Sequence, residues 1–571
     1  MIHAPLSRIF ILLVIVIVII AACENTSDDT VKEQSFLELS TGMSTAEQVG
    51  QIFCLTVDPI HYFVEPTYKQ NINLLIRSYR PGGIYFSTHL EDWRQETLSE
   101  FDATKLLAEV NEIIGQSTTP PLFIADFETG AWTWDGNAAH FSYPVALGAM
   151  GSSDMAIRQG KITATEARNQ GITMVLSPCL NTPDYFGDST PLFSMSDDPA
   201  VIAELGKSYI AGCQESNIAA CARYFPWELF ADIGSEPPTG VTEPFRSAIS
   251  EGAYALMVSP VTLGDTVNWD GLINVIPRVV RGDLGFNGVV VLRLQTPEDY
   301  GHLTDADIPA VMNAVNAGCN LLILPEVDGE RIPLIDEMII DIEEGRLDAA
   351  AIDKSLEYVL ALKDAIQLPF GEFTMPMRGI AGVGLPEYLK TARHLSDESI
   401  TLIRNNGNML PIDTDDMYIV PITVADENSS FLAAIYERKL KARFPNSPVL
   451  TVIGDPNTRE HQEVLRRSAE ADRVIFSMFF NPSMTGGPVS PEMKSLLDDL
   501  FRLKANIITI SFYDPTIISA YPGSDAFIAT FSPAENTMDA VLEIVTGARK
   551  PVGKLPIGIS SEYPAGYGLT Y

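Results

Sequence analysis

The chain of 571 residues is long enough for two or three domains with sizeable cores. Hydrophobic residues make up 46% and charged residues 20%, the balance of a folded globular protein and not of a disordered one. A formal net charge of −36 argues against nucleic acid and anionic lipid headgroups as partners, because a field of that sign repels phosphates.

At the N-terminus, His3 and Arg8 precede an unbroken apolar run, residues 9–22. It is too short for an ordinary membrane span and reads as the apolar region of an export signal, residues 1–22. Cys23 follows in the order Ile20-Ala21-Ala22-Cys23, which resembles a lipobox and makes Cys23 the expected lipidated residue. Residues 23–42 form a polar tether. Acyl chains on Cys23 would hold the protein at a bacterial membrane, facing periplasm or exterior, without spanning it. The expected location is therefore the cell envelope. The other cysteines (Cys54, Cys179, Cys213, Cys221 and Cys319) are odd in number, lack a C-x-x-C and lie mostly in apolar runs, so they read as buried thiols.

Over residues 43–368, short apolar runs rich in Val, Ile, Leu and Phe alternate with amphipathic stretches. The runs are 51–57, 83–86, 122–127, 173–177, 219–225, 255–259, 288–294 and 320–324. Each suits a parallel strand buried on both faces. Helical patterns lie between them, among others at 156–170, 201–215 and 308–317. Eight such repeats predict a (β/α)8 TIM barrel; an open doubly wound sheet is the other arrangement the alternation permits. A helix over 350–368 ends this unit. A linker over 369–398, Pro/Gly-rich as far as 386, leads to a smaller α/β domain over 399–571. That domain reads as a doubly wound sheet with strands at 417–423, 448–453, 473–479 and 506–512 and helices at 431–443, 459–471 and 491–504. Gly486-Gly487 reads as a turn.

Chemistry in such a barrel sits at the C-terminal ends of the strands. Taken in order, these ends offer Asp58, then Thr88 and His89, then Asp126 with Glu128, then Asn181 with Asp184 and Asp188 beyond it. The fifth supplies Arg223, Tyr224, Trp227 and Glu228, and the last three supply Ser259, Arg293 and Glu326. Carboxylates among aromatics suit a sugar, one group serving its hydroxyls and the other its C–H face. The seven histidines have no metal-ligand spacing, so no metal is expected. Neither a G-x-S-x-G elbow nor a dinucleotide-binding G-x-G-x-x-G follows a strand, and no cofactor is expected.

Several segments carry a resemblance. Met43 to Gln51 reads M-S-T-A-E-Q-V-G-Q, Pro81 to Ile84 reads P-G-G-I, and Phe123 to Gly130 reads F-I-A-D-F-E-T-G. Tyr143-Pro144 through Ala149, Leu176-Ser177-Pro178 and Ser196-Asp197-Asp198-Pro199 follow in order. Ser399 to Asn405 and Gly553-Lys554-Leu555-Pro556 complete the series. The chain resembles family 3 glycoside hydrolases over nearly its whole mature length, most closely the β-N-acetylglucosaminidase branch. The resemblance implies a TIM barrel with an α/β sandwich domain, a carbohydrate substrate (an amino-sugar or β-glucoside glycan), and Asp126 as a ligand to sugar hydroxyls.

It breaks at the catalytic positions. The family nucleophile ends a strand reading G-v-v-i-S-D-D; here that strand reads Gly288-Val289-Val290-Val291-Leu292-Arg293-Leu294, with Arg293 at the aspartate position. An arginine stays protonated and cannot attack an anomeric carbon. The family's K-H-F-P-G-H-G is here Arg223-Tyr224-Phe225-Pro226-Trp227-Glu228-Leu229. The D-S-H stretch that supplies the branch's acid/base histidine has no counterpart before Pro244-Phe245. Trp134 and Phe193 occupy the places of two substrate-gripping arginines. The expectation is a membrane-anchored, glycan-binding relative of β-N-acetylhexosaminidases with hydrolysis lost or strongly reduced. Its sugar contacts would come from Asp126, Glu128, Arg223, Tyr224 and Trp134, with Trp132 nearby. Two alternatives stand: an active exo-glycosidase with relocated carboxylates such as Asp126, Glu128 or Asp184, and a non-enzymatic scaffold.

Overall fold

The computed structural model describes residues 35–571 except 88–102, 187–190, 232–239, 263–267, 296–304, 328, 371–373, 377–380, 414–416, 481–489, 504–505 and 521. The export signal, Cys23, Thr88, His89, Asp188 and the Gly486-Gly487 turn lie outside the described residues. Eight parallel strands close a barrel: β1 (Phe53–Val57), β2 (Gly83–Phe86), β3 (Leu122–Ala125), β4 (Met174–Val175), β5 (Ala219–Phe225), β6 (Ala255–Val258), β8 (Val289–Gln295) and β9 (Leu321–Glu326). The pairing Ala255↔Val289 joins β6 to β8, and Phe53↔Leu322 joins β1 to β9, so no edge is left open. The two-residue β7 (Val261–Thr262) rides on the upper end of β8 outside this ring. Closure settles the choice between a barrel and an open sheet.

The strands form where the apolar runs predict them because side chains on both faces are covered. Every residue of β1, β2, β3 and β6 is buried, by the barrel interior on one side and the helical shell on the other. Helix starts carry local signals: Ser44 and Glu47 form a reciprocal cap on Thr45–Gln51, with Ser44 N donating to Glu47 Oε2 at 2.8 Å.

Two of the resembling motifs interlock at the floor of the barrel, away from the mouth. Gly82 N donates to Gly50 O at 3.0 Å. A Cβ on Gly50 would stand 1.6 Å from Tyr79 O, and one on Gly82 would stand 1.8 Å from Gln51 O, so only glycine permits this approach. Gln51 Nε2 donates to Arg80 O at 2.6 Å, and the fully buried Lys363 donates to Gln51 Oε1 at 2.6 Å. These motifs build the floor and say nothing about chemistry.

The second sheet runs β10 (Thr401–Asn405), β15 (Ala526–Ala529), β14 (Ile507–Ser511), β13 (Arg473–Phe479), β11 (Ile419–Ala425), β12 (Leu450–Ile453). All neighbours are parallel except the edge pair β10–β15, so the five-strand parallel portion has the doubly wound order 2-1-3-4-5. The later part of the stretch that reads as linker is helical, Pro386–Ser399, and packs on the barrel helix Pro144–Met150. A Cβ on Gly148 of that barrel helix would meet Met195 O at 1.7 Å and the Pro556 side chain at 2.7 Å. Ser196 Oγ donates to Pro556 O at 2.9 Å, and Lys554 N donates to Ala149 O at 3.1 Å. The G-K-L-P segment is thus where the second domain joins the first.

Candidate functional site

Arg223 stands at the centre of the barrel mouth. It lies on β5, whose neighbour β4 is only two residues long. The chain beyond β4 continues the ladder, with Arg223 N donating to Pro178 O at 3.0 Å. From there the guanidinium reaches past β4 to the end of β3. Nη1 pairs with Asp126 Oδ1, while Nε and Nη2 lie 3.1 and 3.0 Å from Glu128 Oε1. The Asp126 side chain keeps 25% of its surface, whereas those of Arg223 and Glu128 keep 8% and 6%. Asp126 therefore faces the mouth, and Glu128 lies beneath, holding the arginine.

Burial pushes the Glu128 carboxyl up to about 7; the Arg223 charge opposes the shift and Asp126 adds to it. Burial works against the Arg223 charge as well, but Asp126, Tyr224 and Glu128 more than restore it, and the guanidinium stays protonated. The Tyr85 hydroxyl donates to Asp126 Oδ2. Burial, and secondly the Asp126 charge, push Tyr85 well above the usual phenol range. Tyr224 is half-buried, with the Arg223 guanidinium carbon 5.1 Å from its ring centre. Asn181 brackets its backbone, donating to Tyr224 O at 2.7 Å and accepting from Tyr224 N at 2.6 Å. Across the mouth, Arg293 on β8 holds its guanidinium carbon 5.5 Å from the Tyr85 ring centre.

Two expected sugar ligands are placed otherwise. Trp134 is buried, at 3% exposure, and packs edge-on against Phe86 and Phe127 with ring centres 5.3 Å apart in both cases. It belongs to the core because the short helical turn Ala131–Thr133 folds its indole inward. Glu128 is also withdrawn from the surface, its carboxyl committed to Arg223. Trp132 is half-buried and stacks on His140, with Nε1 donating to Thr129 Oγ1 at 3.0 Å. Phe193 lies edge-on to Tyr143, 5.6 Å between ring centres, and Tyr513 of the second domain is 6.2 Å from the same Tyr143 ring. An interdomain aromatic contact thus stands where the resemblance puts an arginine.

Sequence reasoning missed Tyr85, which looks like any strand aromatic; its place next to the C-terminal residue of β2 was the available signal. It also missed Tyr185, whose hydroxyl lies 2.6 Å from Ser259 Oγ, itself 2.9 Å from Glu228 Oε2. Asp58, His61 and Glu326 each bring one potential ligand atom to within 4.8 Å of the others. Asp58 is already occupied: Oδ1 caps the helix Pro59–Val64 through Ile60 N and His61 N, and Oδ2 faces His61 Nδ1 at 3.5 Å. Asp184 is exposed.

Residues 44–362 match the glycosyl hydrolase family 3 N-terminal domain. The chain belongs to glycosyl hydrolase family 3. Among curated relatives of this family 3 chain, a β-N-acetylglucosaminidase/β-glucosidase of Cellulomonas fimi is 27% identical over 65% of this chain and 66% of its own length. A β-glucosidase of Rhizobium radiobacter is 22% identical over 57% of this chain and 39% of its own. The family 3 chain therefore spans just under two thirds of the first relative and well under half of the second. Among solved structures, a family 3 β-N-acetylglucosaminidase from Paenibacillus sp. str. FPU-7 superimposes with a TM-score of 0.71 at 22% identity, covering 91% of this chain and 99% of that one. A β-glucosidase from Listeria innocua in complex with glucose gives 0.70 at 17%, over 94% and 83%. These likenesses establish the shared two-domain fold.

Proposed function

We propose that this family 3 protein binds a sugar at the barrel mouth, from an amino-sugar or β-glucoside glycan, with hydrolysis lost or strongly reduced. Arg293 carries the reading. Retaining hydrolysis needs a carboxylate nucleophile beside an acid/base group, and the strand that supplies the nucleophile in the resembling family carries Arg293 at that position. Arg293 supplies no electron pair for attack, and Glu128 is too deeply buried and too tightly held by Arg223 to take over. What supports retained binding is the surviving polar surface: Asp126, oriented by Arg223 and Tyr85, beside the half-buried Tyr224. We place the protein at the cell envelope through acylation of Cys23, a reading that rests on the sequence around that residue.

Incubation with aryl β-N-acetylglucosaminides and β-glucosides should release no phenol above buffer. Calorimetry with N-acetylglucosamine and methyl β-glucoside should detect binding. Replacing Asp126 by Ala should weaken it by about 10- to 100-fold, the worth of a charge-assisted hydrogen bond of about 1.5–3 kcal/mol. Steady release proportional to enzyme would refute loss of hydrolysis, and absence of heat with every sugar would refute the binding site. For the anchor, Cys23→Ala should move the protein from the membrane fraction to the soluble one.

A further inference from the structure

We infer that the mouth selects a sugar bearing a negative charge and seats that charge on Arg293; this rests on the sugar-binding reading above. The two arginines of the mouth are in different situations. Arg223 is neutralised, with three of its nitrogens directed at Asp126 and Glu128. Arg293 is half-buried and faces the Tyr85 ring, and no carboxylate among the described residues lies within ion-pair distance of it. In a chain of formal net charge −36, a cation at the mouth with no such carboxylate beside it is conspicuous.

A guanidinium cannot shed its proton, and a partly buried charge is costly until an anion meets it. Its planar fork fits a carboxylate or a phosphate with two parallel hydrogen bonds, a geometry that a lone sugar hydroxyl does not offer. The surroundings admit an anion. Burial keeps the hydroxyls of Tyr85 and Tyr224 protonated, the latter pushed up to about 12, so neither adds a negative charge that would repel an anion. The Tyr85 hydroxyl donates to Asp126 while its ring meets Arg293, so this one side chain links a carboxylate for sugar hydroxyls to a cation for an acidic group. A hexuronic acid or a sugar phosphate has both features on one ring.

Calorimetry on the mature chain with methyl β-glucuronide, methyl β-glucoside, glucose 6-phosphate and inorganic phosphate tests the assignment. The glucuronide or the sugar phosphate should bind at least about 10-fold more tightly than the glucoside. That advantage should shrink as salt is raised. Arg293→Gln should bring the charged sugar to the level at which the same variant binds the glucoside, and Arg293→Lys should keep part of the preference. Equal affinity for charged and neutral sugars, or a preference that survives Arg293→Gln, would overturn it. Inorganic phosphate binding as tightly as the charged sugars would overturn it too, by revealing a bare anion site. Glucoside binding without discrimination removes only the charge assignment; no binding by any sugar removes the sugar site itself.

Discussion

Replacing Glu128 by Gln should alter the pH dependence of stability in a way the buried cluster specifies. Glutamine keeps the volume and an oxygen acceptor for Arg223 Nε, so packing is preserved and only the titration is removed. In the wild-type protein the carboxyl is raised from 4.5 to about 7, with burial the dominant cause. A folded-state value above the unfolded one means that its contribution to stability is fully present below about 4.5 and lost as pH rises through about 7. At about 1.4 kcal/mol for each tenfold change in proton affinity, the wild type forfeits about 2.5 kcal/mol at this site between about pH 5 and about pH 8. Urea unfolding followed by tryptophan fluorescence at those two values measures the loss, and Glu128→Gln should lose about 2.5 kcal/mol less. Glu166, also raised to about 7 by burial while accepting from Ala139 N and Gly384 N, adds its own slope to both proteins and cancels in the difference. If the variant followed the wild-type slope, Glu128 would be ionised across the range, and the account of a buried carboxyl only partly offset by Arg223 would be wrong.

Lys363, pulled down to about 7 by burial, contributes stability that is present above its usual value and lost as pH falls through about 7. Lys363→Met removes that loss, which accrues at about 1.4 kcal/mol per pH unit between 10.5 and about 7, so the variant should gain about 2 kcal/mol on the wild type between about pH 9 and about pH 7; chemical denaturation at both pH values reads this. Trp134→Ala should cost about 3–5 kcal/mol as a core truncation and leave glucoside affinity unchanged in protein that remains folded; a tenfold affinity loss would return Trp134 to the sugar site.

The barrel was legible where strands announce themselves twice, by composition and by spacing. The runs 83–86 and 219–225 coincide with β2 and β5, because a parallel strand covered on both faces must be apolar throughout. In the second domain, 473–479 matches β13 for the same reason. The edge strand β10 is not legible as a strand from its pattern, although its residues carry the resemblance. The four-residue β15, bounded by Asp525 and Thr530, is too short to stand out. The helix Pro386–Ser399 reads as linker in the sequence because of the prolines and glycines ahead of it.

For the site, the sequence alone determined which groups are available: Asp126, Glu128, Arg223 and Tyr224 near strand ends, and Arg293 where the resembling family has its nucleophile. Only the tertiary structure decided their roles. Asp126 and Glu128 are two residues apart, yet one faces the mouth and the other is buried beneath it; Trp134, two residues past Trp132, turns into the core. Arg223 is neutralised by groups ninety-odd positions away in the chain, whereas Arg293 meets a tyrosine face. A residue's charge is written in its identity, but whether that charge is spent inside the fold or kept for a ligand depends on partners that closure of the barrel brings within hydrogen-bonding reach.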